Sequence, residues 1–283
     1  MTALSTTTTV ALGDLRFTVD QAGPDDGPPV LMLHGFPQTR RAWRGQLEAL
    51  GAAGYRGVAP DQRGYSTGAR PPGIEPYATA NLVADALGVM DVLGHDGFHL
   101  VGHDWGGQLS WLIAAQAPER LLSLAVLSRP HPAAFARAFE KDPEQSRRSG
   151  HHKAFQDDGA GTALRADDFA GLRRMFAASG VPADTAKAYI STLAEPGAIE
   201  AAVAWYRAGG AASLRARDVP PVAVRTLYVW GDADATVGRV AAQVTADFVT
   251  GPYRFEVIPG AGHFLTDEVP DKINRLLLGH LAA

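Results

Sequence analysis

The sequence predicts an α/β protein in which a mostly parallel central sheet carries helices on both faces and is interrupted by a helical insertion. Three observations predict it. Short apolar runs of strand length alternate with alanine- and leucine-rich stretches of helix length, the pattern of a parallel sheet covered on both sides. Each run stops near Gly, Pro or Asp, the residues that turn a chain. The alternation then lapses between about Arg129 and Pro221, where charged and alanine-rich segments hold no strand candidate.

Taken in order, the strand candidates are "VLMLHG" (Val30 to Gly35), "YRGVAPD" (Tyr55 to Asp61), "FHLVGHD" (Phe98 to Asp104), "LLSLAVLS" (Leu121 to Ser128), "RTLYVWGD" (Arg225 to Asp232) and "YRFEVIPG" (Tyr253 to Gly260). Most are apolar almost throughout, as strands buried on both faces must be. Ala78 to Leu93 and Trp105 to Gln116 lie between them and read as helices, the second stopped by Pro118. The strandless stretch opens with "RPHP" and closes with "DVPP". It is either a plain helical excursion or a lid over the carboxyl edge of the sheet, where open α/β sheets bind ligands, and the lid is the preferred reading. The organisation expected is a core of residues 1–128 and 222–283 with a cap of residues 129–221.

Composition excludes several function classes. With 283 residues, 46% of them hydrophobic, the chain can fill a large core. A net charge of −4 and scattered Lys and Arg leave no basic surface for nucleic acid. The absence of cysteine removes disulfides, a thiolate nucleophile and Cys-ligated metal. The start, "MTALSTTTTVALGDLRF", lacks the pattern of a signal peptide, and no apolar run approaches the roughly 18 residues that span a bilayer. The expectation is a cytoplasmic protein with no membrane partner; the sequence is silent on oligomeric state.

Within "LVGHDWGGQLSW" (Leu100 to Trp111), Asp104 stands between Gly102 and Gly106 where a strand ends and a helix begins. Glycines two places either side allow a sharp strand-to-helix elbow that thrusts the central side chain outward. A random G-x-D-x-G is expected roughly 0.25 times in a chain of this composition, so the strand before and the helix after carry the argument. The competing explanation is a helix-capping aspartate. A cap alone leaves both glycines unexplained.

With these residues in place, the chain resembles the α/β-hydrolases, and within them the aspartate-nucleophile branch of epoxide hydrolases and haloalkane dehalogenases. The resemblance covers essentially the whole chain. It rests on "HGFPQT" (His34 to Thr39), "DQRGYS" (Asp61 to Ser66), "GHDWGG" (Gly102 to Gly107), "VWGDAD" (Val229 to Asp234) and "GAGHF" (Gly260 to Phe264), in the order of that branch. It implies an α/β-hydrolase fold with a helical cap inserted after the sixth core strand. A carboxylate suits displacement at saturated carbon and leaves an alkyl ester on the enzyme, which makes Asp104 the nucleophile. Hydrolysing that ester needs a base and a group that orients it, His263 and an acid after the "LYVWGD" strand. Asp232 and Asp234 compete for the acid; the W-G-x-x-D spacing of the resembling families selects Asp234 and leaves Asp232 to bind turn backbone. The resemblance gives oxyanion stabilisation to the backbone N–H groups of Phe36 and Trp105, whose side chains then line the pocket. His34, His103 and "DQRGYS" read as structural, with Tyr65 the one residue of that segment within possible reach of substrate.

The leaving group separates the two enzyme readings. An opening epoxide leaves as a basic alkoxide that wants a proton, whereas a halide needs only polarising N–H donors. Epoxide hydrolases supply the donor from the lid, normally as two tyrosines. Here "AVAWYRAGG" resembles the segment carrying one, Tyr206. The other is expected in "RRSGHHKAFQDDG", where the position aligned on Phe155-Gln156 holds His151, a departure from the pattern. His152 is the alternative inward-facing ring, and His152 and Phe155 are placed in the pocket. A neutral imidazole still offers one N–H.

The resemblance therefore implies an epoxide hydrolase taking a small apolar epoxide and water to a vicinal diol, with no metal or organic cofactor. Haloalkane dehalogenase is the alternative: Trp105 fits it, but Phe36 stands where that family often has asparagine. Fluoroacetate dehalogenases place arginines just after the nucleophile, where this chain has Trp105 and Gln108. A serine esterase wants serine at position 104. A non-catalytic binding protein on the same fold is the reading from another class.

Overall fold

The computed structural model describes residues 5–213 and 218–283. The six apolar runs all form strands: β3 (Pro29–Leu33), β4 (Arg56–Pro60), β5 (Phe98–His103), β6 (Leu121–Leu127), β7 (Thr226–Gly231) and β8 (Tyr253–Ile258). Two earlier strands precede them, β1 (Thr6–Leu12) and β2 (Leu15–Ala22), and these were not legible as apolar runs. β1 is an edge strand of four exposed threonines before Val10, and β2 alternates, burying Phe17, Val19 and Gln21. The chain reverses between them at Gly13-Asp14, with Gly13 in the left-handed region at φ +57°.

The eight strands form one sheet in the order β1-β2-β4-β3-β5-β6-β7-β8. β2 pairs antiparallel with both β1 and β4, and every pairing from β4 to β8 is parallel. Side-chain alternation divides the core into two layers. Leu31, Leu33, Leu100, Leu124 and Val126 face α2 (Thr79–Val92) and α3 (Trp105–Gln116), where Leu82, Val83, Ala86, Leu109 and Ile113 meet them. Val30, Met32, Val101, Ala125 and Leu127 face the other way, onto Leu47 and Leu50 of α1 (Arg44–Ala52) and Ile273, Leu276 and Leu277 of α12 (Pro270–Leu281). Each such Leu or Ile contributes about 1.5–3 kcal/mol by leaving water. Helices on both faces of a mostly parallel sheet are the architecture the sequence predicts. Two short helices, α10 (Arg239–Val244) and α11 (Leu265–Glu268), follow β7 and β8 respectively.

After β6, the sixth strand, the chain leaves the sheet for a wholly helical insertion: α4 (Pro132–Lys141), α5 (Pro143–Arg148), α6 (Gly150–Ala154), α7 (Ala160–Ala178), α8 (Ala183–Leu193) and α9 (Ala198–Ser213). Pro132 opens α4 at a position where its missing N–H costs nothing, and His131 Nδ1 caps Ala133 N–H at 3.2 Å. α7 is broken by Asp167, Asp168 and Phe169, all with φ between +50° and +58°, and Arg173 holds that turn through the Asp168 carbonyl and carboxylate. The insertion is tied to loops at the carboxyl ends of the strands. Trp205 Nε1 donates to the Arg63 carbonyl (2.9 Å) after β4, Gln145 Nε2 to the Thr236 carbonyl (2.8 Å) after β7, and Tyr189 Oη to Asp267 (2.9 Å) after β8. It is thus placed as a cap over the sheet edge. Among the described residues, no helix is long and apolar enough to cross a membrane.

Candidate active site

Asp104 occupies the corner between β5 and α3 with φ 50° and ψ −116°, a conformation that disfavours any residue with a Cβ. The flanking glycines let neighbouring backbone approach this corner. A Cβ on Gly102 would lie 2.4 Å from the Gly106 carbonyl oxygen, one on Gly106 2.0 Å from that of Leu33, and one on Gly35 2.4 Å from Asp104 Cβ. The side chain at the corner makes no capping hydrogen bond to α3. Instead Oδ1 accepts the Phe36 N–H at 2.9 Å, and Oδ2 lies 3.6 Å from His263 Nε2. Trp105 opens α3, where its N–H has no intrahelical acceptor.

His263 is held from every side. Its carbonyl accepts from Ser128 Oγ (2.9 Å) and pairs with His103 Nε2 (2.8 Å), while Glu268 takes the N–H groups of Gly262 (2.7 Å) and Phe264 (2.9 Å) on either side of it. The ring's Nδ1 faces Asp234 Oδ2 at 2.9 Å and Thr236 Oγ1 at 2.8 Å. Asp234 is buried, and its Oδ1 accepts the N–H groups of Thr236 (2.7 Å) and Val237 (3.0 Å) and the Thr236 hydroxyl (2.8 Å). Asp232 Oδ1 accepts the Gly260 N–H at 2.7 Å, the turn-backbone role expected of it.

The electrostatics follow from this line of carboxylate, imidazole, carboxylate. Burial opposes charge on all three groups, but each anion is stabilised by the cation between them. Burial would lower His263, yet Asp234 and Asp104 carry it up to about 10. Burial would raise Asp104 and Asp234, yet His263 holds both below the usual carboxylate range, helped at Asp234 by the Thr236 and Val237 N–H groups. The resting site is therefore an ion triad with His263 protonated.

His34 and His103 stay neutral, pushed down by burial to about 3 and about 4 respectively. His34 receives the Gln62 N–H on Nε2 at 3.3 Å, and its carbonyl accepts Gln62 Nε2 at 2.6 Å. Tyr65 packs edge-on against His34 and Trp205, with ring centroids 4.5 and 5.8 Å apart.

The cap supplies the opposite wall. Tyr206 of α9 is buried, its ring 5.5 Å from Phe36 and 5.1 Å from Trp105, the two residues bracketing the Asp104 carboxylate. Phe155 (4.9 Å), His152 (5.1 Å) and His151 (6.1 Å) surround it edge-on. Both histidines of α6 thus meet Tyr206; His152 is the more buried and its ring is the closer. Burial lowers both, His152 to about 2 with help from His151, so each is a neutral imidazole near pH 7. Burial, then the Asp104 charge, pushes the Tyr206 phenol well above its ordinary value, which keeps its proton in place.

Two parts of the site were not read from the sequence. Arg129, at the end of β6, is a buried cation whose Nε and Nη2 donate to Gln108 Oε1 (3.0 and 2.8 Å) and whose guanidinium lies 5.9 Å from the Trp105 ring centre. An arginine closing the apolar run "LLSLAVLSR" was the available signal. Thr236 bridges Asp234 and His263 but lies in a loop with no pattern to single it out.

Comparison with known proteins gives the family. Residues 28–270 match the family model described as alpha/beta hydrolase fold. The chain is 32% identical to epoxide hydrolase A of Mycobacterium tuberculosis over 94% of each chain, and 32% identical to epoxide hydrolase 4 of Mus musculus over 94% of this chain and 76% of that one. The crystal structure of Bacillus megaterium epoxide hydrolase with an inhibitor superposes with a TM-score of 0.89 at 26% identity, covering 98% of this chain and all of that one. A variant of that enzyme was solved with a naphthyloxy-propane-diol product. The chain belongs to the alpha/beta-hydrolase fold family and, within it, to the epoxide hydrolases.

Proposed function

We propose that the protein is an epoxide hydrolase that converts an oxirane to a vicinal diol through an ester on Asp104. The observation that carries this reading is the Asp104 carboxylate itself. One oxygen is bound by the Phe36 N–H, the other faces His263, and Tyr206 of the cap packs against both Phe36 and Trp105.

In the first half-reaction Oδ2 of Asp104 attacks a ring carbon, the carbon–oxygen bond breaks, and the alkoxide takes the Tyr206 proton while His151 donates a hydrogen bond. Forming the ester removes one of the two carboxylates that hold the proton on His263, so the imidazolium gives that proton up, through water, to the phenolate left on Tyr206, and becomes a base at the step that needs one. In the second half-reaction His263, oriented by Asp234, takes a proton from water. The hydroxide adds to the ester carbonyl, whose oxygen is held by the N–H groups of Phe36 and Trp105. Collapse breaks the ester carbon–oxygen bond, the departing diol oxygen takes the proton that the added hydroxide left on the Asp104 carboxyl, and the carboxylate is restored; His263 keeps the proton it took from water and so returns to its resting state. The rings of Phe36, Trp105, Phe155 and Tyr206 suit a small apolar substrate.

One observation favours haloalkane dehalogenation instead: the buried Trp105 indole N–H, facing the Tyr206 hydroxyl without a well-formed hydrogen bond to it, offers a donor to a halide. Turnover separates the two. Purified protein given a styrene-oxide-like epoxide is expected to release diol, and given a terminal bromoalkane to release no bromide. Bromide without diol moves the reading to dehalogenation, and binding of the epoxide without turnover moves it to a non-catalytic protein.

A further inference from the structure

Gln145 of α5 lies wholly buried, at 0% exposure, with both ends of its amide used on the loop that carries the acid. Its Nε2 donates to the Thr236 carbonyl at 2.8 Å and to Ser149 Oγ at 2.9 Å, and its Oε1 accepts the Gly238 N–H at 2.8 Å. Its neighbour one turn along, Arg148, donates from Nη1 to the carbonyl of Asp234 itself. The contact is tight: a Cβ on Gly238 would stand 3.2 Å from Gln145 Oε1. The N–H groups of Thr236 and Val237 in this segment bind the Asp234 carboxylate, and Trp230 Nε1 donates to the Val237 carbonyl at 3.1 Å. The segment from Asp234 to Gly238 is therefore clamped between β7 and the cap.

We infer that Gln145 and Arg148 are positioning residues for the hydrolytic step, so that the cap serves both halves of the reaction: Tyr206 for ring opening, and α5 for the alignment of Asp234 on His263. The inference rests on the ester mechanism proposed above. A buried glutamine with two hydrogen bonds to loop backbone and one to a cap serine loses the two to the loop if the cap lifts, leaving the Thr236 carbonyl and Gly238 N–H unpaired. The acid loop then relaxes, and a displacement of about 1 Å at Asp234 is enough to cost on the order of a hundredfold in a step that depends on it. Ring opening uses Asp104 and Tyr206 and does not pass through this loop. The clamp thus gives ester hydrolysis its own dependence on a seated cap, separate from that of ring opening, which runs through Tyr206.

The test is single-turnover kinetics with enzyme in excess over a styrene-oxide-like epoxide, ester formation and decay followed by quench and mass spectrometry. Wild type, Gln145→Leu, Arg148→Met and Arg148→Lys are compared. Ester formation is expected within about twofold of wild type in all of them. Ester decay is expected to slow on the order of tenfold to a hundredfold in Gln145→Leu and less in Arg148→Met, with Arg148→Lys recovering part of the loss. The pH midpoint of decay is expected to fall in the slowed variants, because a misaligned Asp234 holds the His263 proton less well. Unchanged decay in Gln145→Leu and Arg148→Met, or equal slowing of both steps, overturns the inference. If Gln145→Leu does not fold, Arg148→Met decides alone by the same criteria. No ester in wild type overturns the ester mechanism and this inference with it, an outcome told apart by its presence in the unmutated protein.

Discussion

On the core side of the site, Asp104 and Asp234 are fixed by backbone N–H groups and His263 by Asp234 and by hydrogen bonds to its own carbonyl, whereas on the cap side Tyr206, His151 and His152 are fixed by rings meeting edge-on. The core groups are charged and mutually stabilising; those cap groups are neutral and held so by burial. Hydrogen bonds and charge place an atom to within a few tenths of an ångström, while ring packing tolerates a neighbouring residue doing the same work. In the mechanism proposed above, the core half forms and breaks one ester. The cap half is where substrate preference and the identity of the proton donor can vary.

That contrast can be broken most severely at Asp104. Replacing it with Ala is expected to reduce diol formation by at least ~10⁴-fold, since the groups of such a site act as a unit; activity above that level means the carboxylate is not the nucleophile. The next effect is on the cap. Tyr206→Phe is expected to slow ring opening about a hundredfold and ester hydrolysis less, read in single-turnover kinetics. Equal slowing of the two steps removes Tyr206 from the acid role.

A smaller effect sharpens the cap half. Either His151→Phe or His152→Phe is expected to slow ring opening about tenfold and the other to change it little, which identifies the donor ring. Two equal, small losses would mean that Tyr206 acts without an imidazole partner. The smallest effect is back on the core: Asp232→Ala should leave diol formation within about twofold and lower stability by about 0.5 kcal/mol, read as a shift in Tm, because it loses one exposed hydrogen bond to Gly260. A loss of turnover comparable to that of Asp234→Ala would reassign the acid.

The same contrast governs what was legible in the sequence. Gly35, Gly102 and Gly106 sit where a Cβ would collide with backbone or with Asp104, so the corner that presents Asp104 is written as spacing. Five of the six strands were legible because burial on two faces forces an apolar run; β8, an edge strand that is mostly half-buried, showed instead through Tyr253, Phe255 and Val257 alternating with Arg254 and Glu256. β1 was not, since an edge strand of exposed threonines meets no such demand. In the cap, the helical character of the insertion was visible in composition, but His151 and His152 are adjacent on a five-residue helix, and tertiary packing alone decides how each meets Tyr206. Arg129 and Gln145 escaped notice because their role lies in contacts between segments distant in the chain, Arg129 with Gln108 and Gln145 with Thr236 and Gly238.

The most direct test of the central claim is the intact mass of the His263→Gln variant after separate exposure to a styrene-oxide-like epoxide and a terminal bromoalkane. Without its base the enzyme should retain the ester, and the account predicts a gain equal to the whole epoxide, located on the peptide carrying Asp104, and no gain from the bromide. A gain equal to the alkyl group of the bromide alone, or no adduct from either compound, would contradict it.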